Sequence, residues 1–153
     1  MRTFITTFLL MLSIVVRAQS TDALYNEGKK LYDAKKYDLA IKKLLPAAQK
    51  GHKKAQYHMG RCYDKGHGVA ENNQTAYEWY LKAAQQGHAK SQYQVGKCYL
   101  KGKGVAKDTA KAKTWLLKAI KNPKGGAKVR AKIKEDIAEG DEDAIAIAKL
   151  IGK

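Results

Sequence analysis

Proline and cysteine are scarce in this sequence, which has two of each among 153 residues. So little proline excludes a collagen-like or proline-rich chain, and two cysteines cannot form the dense disulfide network of small secreted scaffolds. No apolar run reaches the roughly 18 residues that a membrane-spanning helix requires. Acidic residues are also few, 14 against 30 lysines and arginines, so the formal charge is +16. These limits leave one small, basic, globular domain.

The first 18 residues have the three-part pattern of a secretory signal peptide. Arg2 gives a positive start, a mostly apolar run covers residues 4–16, and Val16 and Ala18 place small residues before the expected cut. We therefore expect residues 1–18 to be a signal peptide cleaved after Ala18, and the mature chain to be secreted or periplasmic without a stable membrane anchor. A buried N-terminal helix or an uncleaved anchor is the alternative, although a run of 13 residues is short for an anchor.

The chain repeats itself at an offset of 36 residues. Residues 54–63, KAQYHMGRCY, align with residues 90–99, KSQYQVGKCY. The correspondence continues through the loops KGHGVA and KGKGVA to Trp79 and Trp115. An earlier, shorter copy between Ala23 and Gly51 lacks the Gly-x-Gly-Val loop. Self-similarity at a fixed period of this length is typical of stacked helical repeats.

Each repeat is predicted to form two helices. Gly66 ends the first helix, because glycine adopts the left-handed conformation found at helix C-termini. Asn72 and Asp108 occupy equivalent positions before the second helix, where Asn and Asp act as N-caps. We expect Trp79 and Trp115 to fill the space between the helix layers. The buried residues expected in the second helix, residues 73–86, are Ala76, Trp79, Tyr80 and Ala83.

A single hairpin cannot bury its apolar side alone, whereas stacked hairpins can. The predicted fold class is therefore all-α: a right-handed α/α solenoid of stacked helical hairpins, with a C-terminal helical cap. The cap is expected because Val129, Ile133 and Ile137 share a helical stripe and three acids at 141–143 suit the start of a last helix. The predicted units are a hairpin at 19–52, repeats at 53–88 and 89–124, and the cap at 125–153.

The two full units resemble the Sel-1-like repeat. The segments that carry the resemblance are residues 60–69, GRCYDKGHGV, residues 76–88, AYEWYLKAAQQGH, and the in-phase residues 97–118. This family is a subclass of tetratricopeptide-type α/α solenoids, and the first unit is similar to a plain tetratricopeptide repeat. The resemblance implies a module that binds a protein or peptide, with no activity shared by all members.

The sequence predicts no catalytic residue, no cofactor and no metal site. The Gly-x-Gly loops lack the third glycine and the preceding strand of a dinucleotide site, and the four histidines lack metal-ligand spacing. Ser20 and Ser91 lie in no nucleophile motif. Cys62 and Cys98 are equivalent residues of stacked helices about 8–10 Å apart. A disulfide spans at most about 7 Å between Cα atoms, so both are expected to be free, buried thiols.

The candidate site comes from the geometry of tetratricopeptide-type stacks, in which the first helices line the concave face. In that arrangement a row of tyrosines is followed one helical turn later by a row of cations, and a further turn later by Asp33, Lys65 and Lys101. Such a surface would hold an extended peptide that carries carboxylates. The alternative is that the tyrosines belong to the packing of the repeats. The predicted partner-binding residues are Tyr25, Lys29, Tyr57, Arg61, Tyr93, Lys97 and Lys101.

Three functions remain open from the sequence. The first is a secreted or periplasmic scaffold for a protein or peptide, including an acidic one. The second is a small envelope hydrolase directed at peptidoglycan or a lactam, an activity associated with secreted relatives, although no nucleophile or zinc set supports it here. The third is a basic binder of an anionic envelope polymer. Specific nucleic-acid binding is not expected, because no nucleic-acid-binding motif is present. The sequence leaves the oligomeric state open.

Overall fold

The structure is a computed structural model that describes residues 19–152, and the predicted signal peptide, residues 1–18, lies outside them. Within residues 19–152 there are eight α-helices and no strand. None of these helices is long and apolar enough to cross a membrane. The helices are α1 (Thr21–Asp33), α2 (Tyr37–Gln49), α3 (Lys53–Lys65), α4 (Asn73–Gln85), α5 (Ala89–Lys101), α6 (Thr109–Lys121), α7 (Gly126–Ala138) and α8 (Glu142–Ile151).

The helices form stacked hairpins. Helices α1 and α2, α3 and α4, and α5 and α6 pack as pairs, and each pair packs against the next through α2 with α3 and α4 with α5. Helices α7 and α8 pack on α6 at the C-terminal end of the stack. This arrangement confirms the predicted all-α solenoid with a helical cap.

A glycine in each first helix lets the two helices of a hairpin make close contact. A Cβ atom added to Gly96 would lie 2.6 Å from Leu116 Cγ, which is closer than real Cβ contacts. The equivalent glycines of the other hairpins meet the equivalent side chains of their second helices. These pairs are Gly28 with Leu44 and Gly60 with Tyr80.

The two tryptophans pack against the hydrophobic cores but fill the space between the helix layers only in part. Trp79 and Trp115 are only half-buried. The lysine three residues after each tryptophan lies over its ring, with the ammonium nitrogen 4.5 Å and 5.0 Å from the two centroids. The interior positions belong instead to Tyr80 and Leu116, which are 2% and 0% exposed. Successive helical residues point about 100° apart, so the next residue rather than the tryptophan faces the first helix.

The predicted turns and caps are confirmed. Gly66 and Gly102 end α3 and α5 in the left-handed conformation, with φ of 64° and 69°. Asn72 and Asp108 cap α4 and α6, and each side-chain oxygen accepts a hydrogen bond of 2.9 Å from the backbone N–H three residues later.

The C-terminal cap differs from its prediction at one residue. Val129 and Ile133 of α7 are buried, but Ile137 is 37% exposed. Ile137 lies in the last turn of α7, just before Gly140 adopts a φ of 81° and the chain turns into α8. The apolar stripe of α7 therefore ends one turn earlier than the sequence pattern predicts.

Candidate binding surface on the first helices

Three clefts open on the face formed by α1, α3, α5 and α7, which we call the first-helix face. The three-helix cleft, about 580 Å³, lies where α3, α5 and α7 begin. The basic cleft, about 470 Å³, lies between the later turns of α3 and α5 and reaches the start of α8. The cap cleft, about 700 Å³, lies between α5 and α7. Tyr57 lines all three and therefore stands at the centre of this face.

The three predicted tyrosines lie on the first-helix face but differ in exposure. Tyr25 and Tyr93 are each 8% exposed and belong to two separate hydrophobic cores. Tyr57 is half-buried, and its ring centroid lies 5.9 Å from that of Tyr80. Burial raises the pKa of the Tyr57 phenol and raises that of Tyr93 to about 12. The outer tyrosines therefore pack the repeats, while Tyr57 also presents surface to the clefts.

The predicted row of cations meets carboxylates at both of its ends. Lys29 Nζ lies 2.5 Å from Asp33 Oδ2, one turn further along α1. Lys101 Nζ lies 2.7 Å and Lys97 Nζ 3.8 Å from the same oxygen of Asp143, in the first turn of α8. The hydrogen bond from Lys101 is the main reason that the pKa of the Asp143 carboxyl lies below its usual value. The chain's own C-terminal helix thus supplies a carboxylate to this row.

Arg61, in the middle of the row, has no carboxylate partner among residues 19–152. It is half-buried, and its guanidinium carbon lies 5.0 Å from the centroid of the Tyr32 ring. Asp64 also lines the basic cleft, but its carboxylate is held by Lys103 at 2.6 Å. Arg61 and Lys97 are equivalent residues of successive repeats. Lys97 faces a carboxylate, whereas the guanidinium of Arg61 faces none among the described residues.

The three-helix cleft has a different composition, since none of its lining residues is acidic. Lys53 and Lys54 begin α3, Ala89 and Lys90 begin α5, and Gly125 is the N-cap of α7. The N-terminus of a helix carries a partial positive charge, so three such termini add to the charge of the lysines. The lysines that line this cleft are Lys29, Lys53, Lys54, Lys90, Lys124 and Lys128.

Two neutral histidines lie in the wall of the three-helix cleft. His58 is 6% exposed, and its buried Nδ1 has no hydrogen-bond partner among the described residues. Burial, with a contribution from Arg61, lowers the pKa of His58 to about 4. Burial and the charges of nearby lysines, Lys90 first among them, lower the pKa of His88 to about 4 as well. Both rings are therefore uncharged at neutral pH.

Cys62 and Cys98 are free and buried, which agrees with the expectation from their spacing. Burial raises the pKa of each thiol to about 11, so both remain protonated and poorly nucleophilic at neutral pH. Within residues 19–152, no three side chains of histidine, cysteine, aspartate or glutamate are grouped as metal ligands would be.

Two parts of this surface were not predicted from the sequence. Asp143 comes from a helix outside the repeats, so the repeat period gives no signal for its contact with the cations. The three-helix cleft does leave a signal. Gly-His pairs at 51–52 and 87–88, with Lys54 and Lys90 following at the 36-residue period, mark two of the three helix beginnings.

The comparisons with known proteins agree with the repeats and the fold. The Sel1 repeat family matches residues 53–88 and 89–123. The crystal structure of a Sel1 repeat protein from Oxalobacter formigenes is 35% identical with a TM-score of 0.64, and the match covers 83% of this chain and 54% of that one. No curated protein matches the chain.

A second solved structure is similar over most of this chain. It is c5321, a protective antigen present in uropathogenic Escherichia coli strains that displays an SLR fold. It is 28% identical with a TM-score of 0.65, over 88% of this chain and 30% of that one. The chain thus spans about half the length of the first structure and under a third of the second. Neither structure supports the envelope-hydrolase alternative.

Proposed function

The chain is a Sel1-like repeat protein, and from that premise we propose that it is an exported, non-catalytic scaffold that holds an acidic peptide segment in its basic cleft. Sel1 repeats generally mediate interactions between proteins. The proposal adds to that general role the chemistry of the partner, the cleft that receives it and the compartment.

The contact between Asp143 and the lysine row carries the proposal. Lys97 and Lys101 hold one carboxylate oxygen of Asp143 from one side of the basic cleft. On the other side, Arg61 presents a guanidinium that has no carboxylate partner among residues 19–152. A guanidinium forms two parallel hydrogen bonds with a carboxylate, so an acidic side chain of a partner fits at Arg61.

The charge balance of the cleft favours an extended partner with more than one acid. Arg61 and Lys65 of the middle repeat and Lys103 of the next line the cleft, with Asp64 as the only counter-charge besides Asp143. Exposed ion pairs contribute only about 0–1 kcal/mol each. The affinity for one acidic residue is therefore expected to be low and to fall with added salt, and several contacts, including one with Tyr57, are needed for a useful complex.

Export rests on the sequence of residues 1–18 alone. If it is correct, intact-mass analysis of the exported protein should give a chain that begins at Gln19. A full-length chain that remains in the cytoplasm would contradict it.

Binding is tested with a fluorescein-labelled peptide of alternating glutamate and glycine, against a matched peptide in which glutamine replaces glutamate. Fluorescence anisotropy of the mature chain should show binding of the glutamate peptide only, weakening as salt is raised. The double variant Arg61→Glu with Lys97→Glu should abolish binding. Because both side chains are half-buried and contact Tyr32 and Asp143, a melting temperature is measured with it, so that a loss of folding is not taken for a loss of the site.

A matched control separates the cleft from the overall charge. Lys42 and Lys134 are exposed and line none of the three clefts, so Lys42→Glu with Lys134→Glu changes the net charge equally. This control should bind the glutamate peptide nearly as well as the wild type. Equal losses in both double variants would mean that only the net charge attracts the peptide, and the scaffold site would lie elsewhere.

A further inference from the structure

Of the three clefts, the three-helix cleft has the most positively charged lining. It is lined by six lysines and no acidic residue, whereas Asp64 and Asp143 line the basic cleft and Glu135 and Asp136 line the cap cleft. Only Lys29, of the six, forms an ion pair among residues 19–152. Four of the other five lysines are exposed, so water and salt weaken the repulsion among their ammonium groups, and an anion in the cavity would reduce it further.

Two of the three helices that begin at this cleft have no side-chain cap. His88 is the N-cap of α5, but its Nδ1 is 2.8 Å from Ser91 Oγ and does not accept from the backbone. Gly125, the N-cap of α7, has no side chain to offer, but the backbone N–H groups of Gly126 and Lys128 already donate to Asn122 O and Gly125 O, so the open first-turn N–H groups are mainly those of α5. Backbone N–H groups in the first turn of an uncapped helix bind anions, and phosphate above all.

His58 provides a second and independent sign of a ligand. His58 lines the cleft, and only 6% of its surface is exposed. Its Nδ1 has no hydrogen-bond partner among the described residues. A buried polar side chain without a hydrogen-bond partner destabilises the fold. Because His58 lines the cleft, an acceptor oxygen bound there would give its ring a partner.

The kind of anion follows from the donors. The charged side chains are all lysines, which act as point charges, and they lie beside helix N-termini. Both kinds of group suit phosphate. A carboxylate is bound more specifically by arginine, which forms two parallel hydrogen bonds with it. A cavity of about 580 Å³ lies within the range of small-molecule sites and exceeds what one phosphate needs. We propose that the three-helix cleft binds linked phosphates, as in an oligophosphate, between Lys53, Lys124 and His58.

This site is separate from the peptide site proposed above. Lys53, Lys124 and His58 line the three-helix cleft and neither of the other two, while Arg61 and Lys101 do not line it. Variants in one cleft therefore leave the lining of the other unchanged, and each proposal can fail without the other.

Isothermal titration calorimetry of the mature chain tests the inference with tripolyphosphate, and with citrate as a tricarboxylate of similar size. Tripolyphosphate should bind with a stoichiometry of one and citrate at least about tenfold more weakly, since lysines and helix N-termini favour phosphate. A separate titration with long-chain polyphosphate shows the source of the phosphates. If the natural ligand is a short oligophosphate that fills the cleft, long-chain polyphosphate should bind each site no more tightly than tripolyphosphate. If the natural ligand is a polymer, the affinity should rise with chain length.

Two variants and a control decide the location. Lys53→Gln with Lys124→Gln should weaken tripolyphosphate binding at least about tenfold, because charged hydrogen bonds are the strong ones. His58→Phe keeps the ring among its tyrosine neighbours and removes the nitrogens, so it should weaken binding several-fold without lowering the melting temperature. Lys42→Gln with Lys134→Gln should bind like the wild type.

Three results would overturn the inference. One is a lack of tripolyphosphate binding at low salt, and another is equal affinity for citrate. The third is binding that survives both the double lysine variant and His58→Phe, or that falls as much in the control. A melting temperature for each variant accompanies the titrations, so that a loss of folding is not taken for a loss of the site.

Discussion

Lys103 Nζ lies 2.6 Å from Asp64 Oδ1, and this ion pair joins the loop of one repeat to the first helix of the preceding repeat. His67 occupies the equivalent loop position 36 residues earlier and also reaches back by one unit, with its Nδ1 2.9 Å from Tyr32 Oη. The two loops thus make the same inter-repeat connection with different chemistry. Their shared Gly-x-Gly backbone, rather than one residue type, places the middle residue against the neighbouring unit.

The ion pair predicts a specific loss of stability in acid. Burial raises the pKa of Asp64, but the hydrogen bond and charge of Lys103, with the charge of Lys65, outweigh burial and hold the pKa below its usual value. A carboxyl of this kind stabilises the fold above its unfolded pKa of about 4, and the contribution disappears as the pH falls through the lower folded value. Lys103→Gln should therefore reduce the free energy of unfolding at pH 7 by about 1 kcal/mol and flatten its decline below about pH 4.

Urea unfolding between pH 7 and pH 2.5 measures this effect. Lys107→Gln is the control, because Lys107 is exposed and forms no ion pair among the described residues. An unchanged acid profile in Lys103→Gln would show that the pair does not form in solution.

The half-buried tryptophans give a second prediction. Leu116→Ala should cost about 2–5 kcal/mol, as fully buried leucine truncations do. Trp115→Ala should cost less, about 1–3 kcal/mol, because its ring packs against the core but is partly exposed. Chemical denaturation followed by far-UV circular dichroism compares the two, since the second variant alters the tryptophan fluorescence. If Trp115→Ala lowered the free energy of unfolding as much as Leu116→Ala does, Leu116 rather than Trp115 would not be the residue of α6 that faces the core.

The sequence was sufficient for the stack and its turns but not for every contact between units. Gly66, Gly102, Asn72 and Asp108 act locally, so their roles could be derived from residue type and position. The partial exposure of Trp79 was not predicted, because an amphipathic pattern fixes the buried side of a helix only to within about one residue. The ion pair of Asp143 could not be predicted, since it depends on where the cap docks on the last repeat.

The close approach at Gly96 gives a third prediction. A methyl group at this position would lie 2.6 Å from Leu116 Cγ, so Gly96→Ala should destabilise the protein by about 1–3 kcal/mol despite the better helix propensity of alanine. Because the cause is overlap, Leu116→Ala should make room for the new methyl group. The double variant should therefore cost less than the sum of the two single variants, which a double-mutant cycle measures. Additive costs would show that the glycine has another role.

His58 gives a fourth prediction, through its pKa of about 4. A histidine whose folded pKa lies below its unfolded value of about 6.5 stabilises the fold above pH 6.5, and this contribution is lost as the pH falls from 6.5 toward 4. His58→Phe should remove about 2–3 kcal/mol of that decline, and His88 should account for part of what remains. Melting temperatures from pH 7.5 to pH 4.5 test this. A parallel decline in wild type and variant would place the titration on other groups.

The last prediction concerns Asp143, whose carboxylate meets Lys97 and Lys101 at one end of the basic cleft. If this cleft binds an acidic peptide, Asp143 competes with that peptide for the same ammonium groups. Asp143→Asn should then raise the affinity for the glutamate peptide by about threefold to tenfold, because two cations lose their internal partner. Stability should fall by less than about 1 kcal/mol, since the pair is partly exposed and Asp141 still caps α8.

Glu142→Gln is the matched control. It removes one negative charge from the same turn, and Glu142 is exposed and lines none of the three clefts. A larger gain in Asp143→Asn than in Glu142→Gln would show that the chain's own carboxylate occupies part of the peptide site. Equal gains would reflect net charge alone, and a loss of affinity in Asp143→Asn would mean that the ion pair holds the cleft in its binding shape.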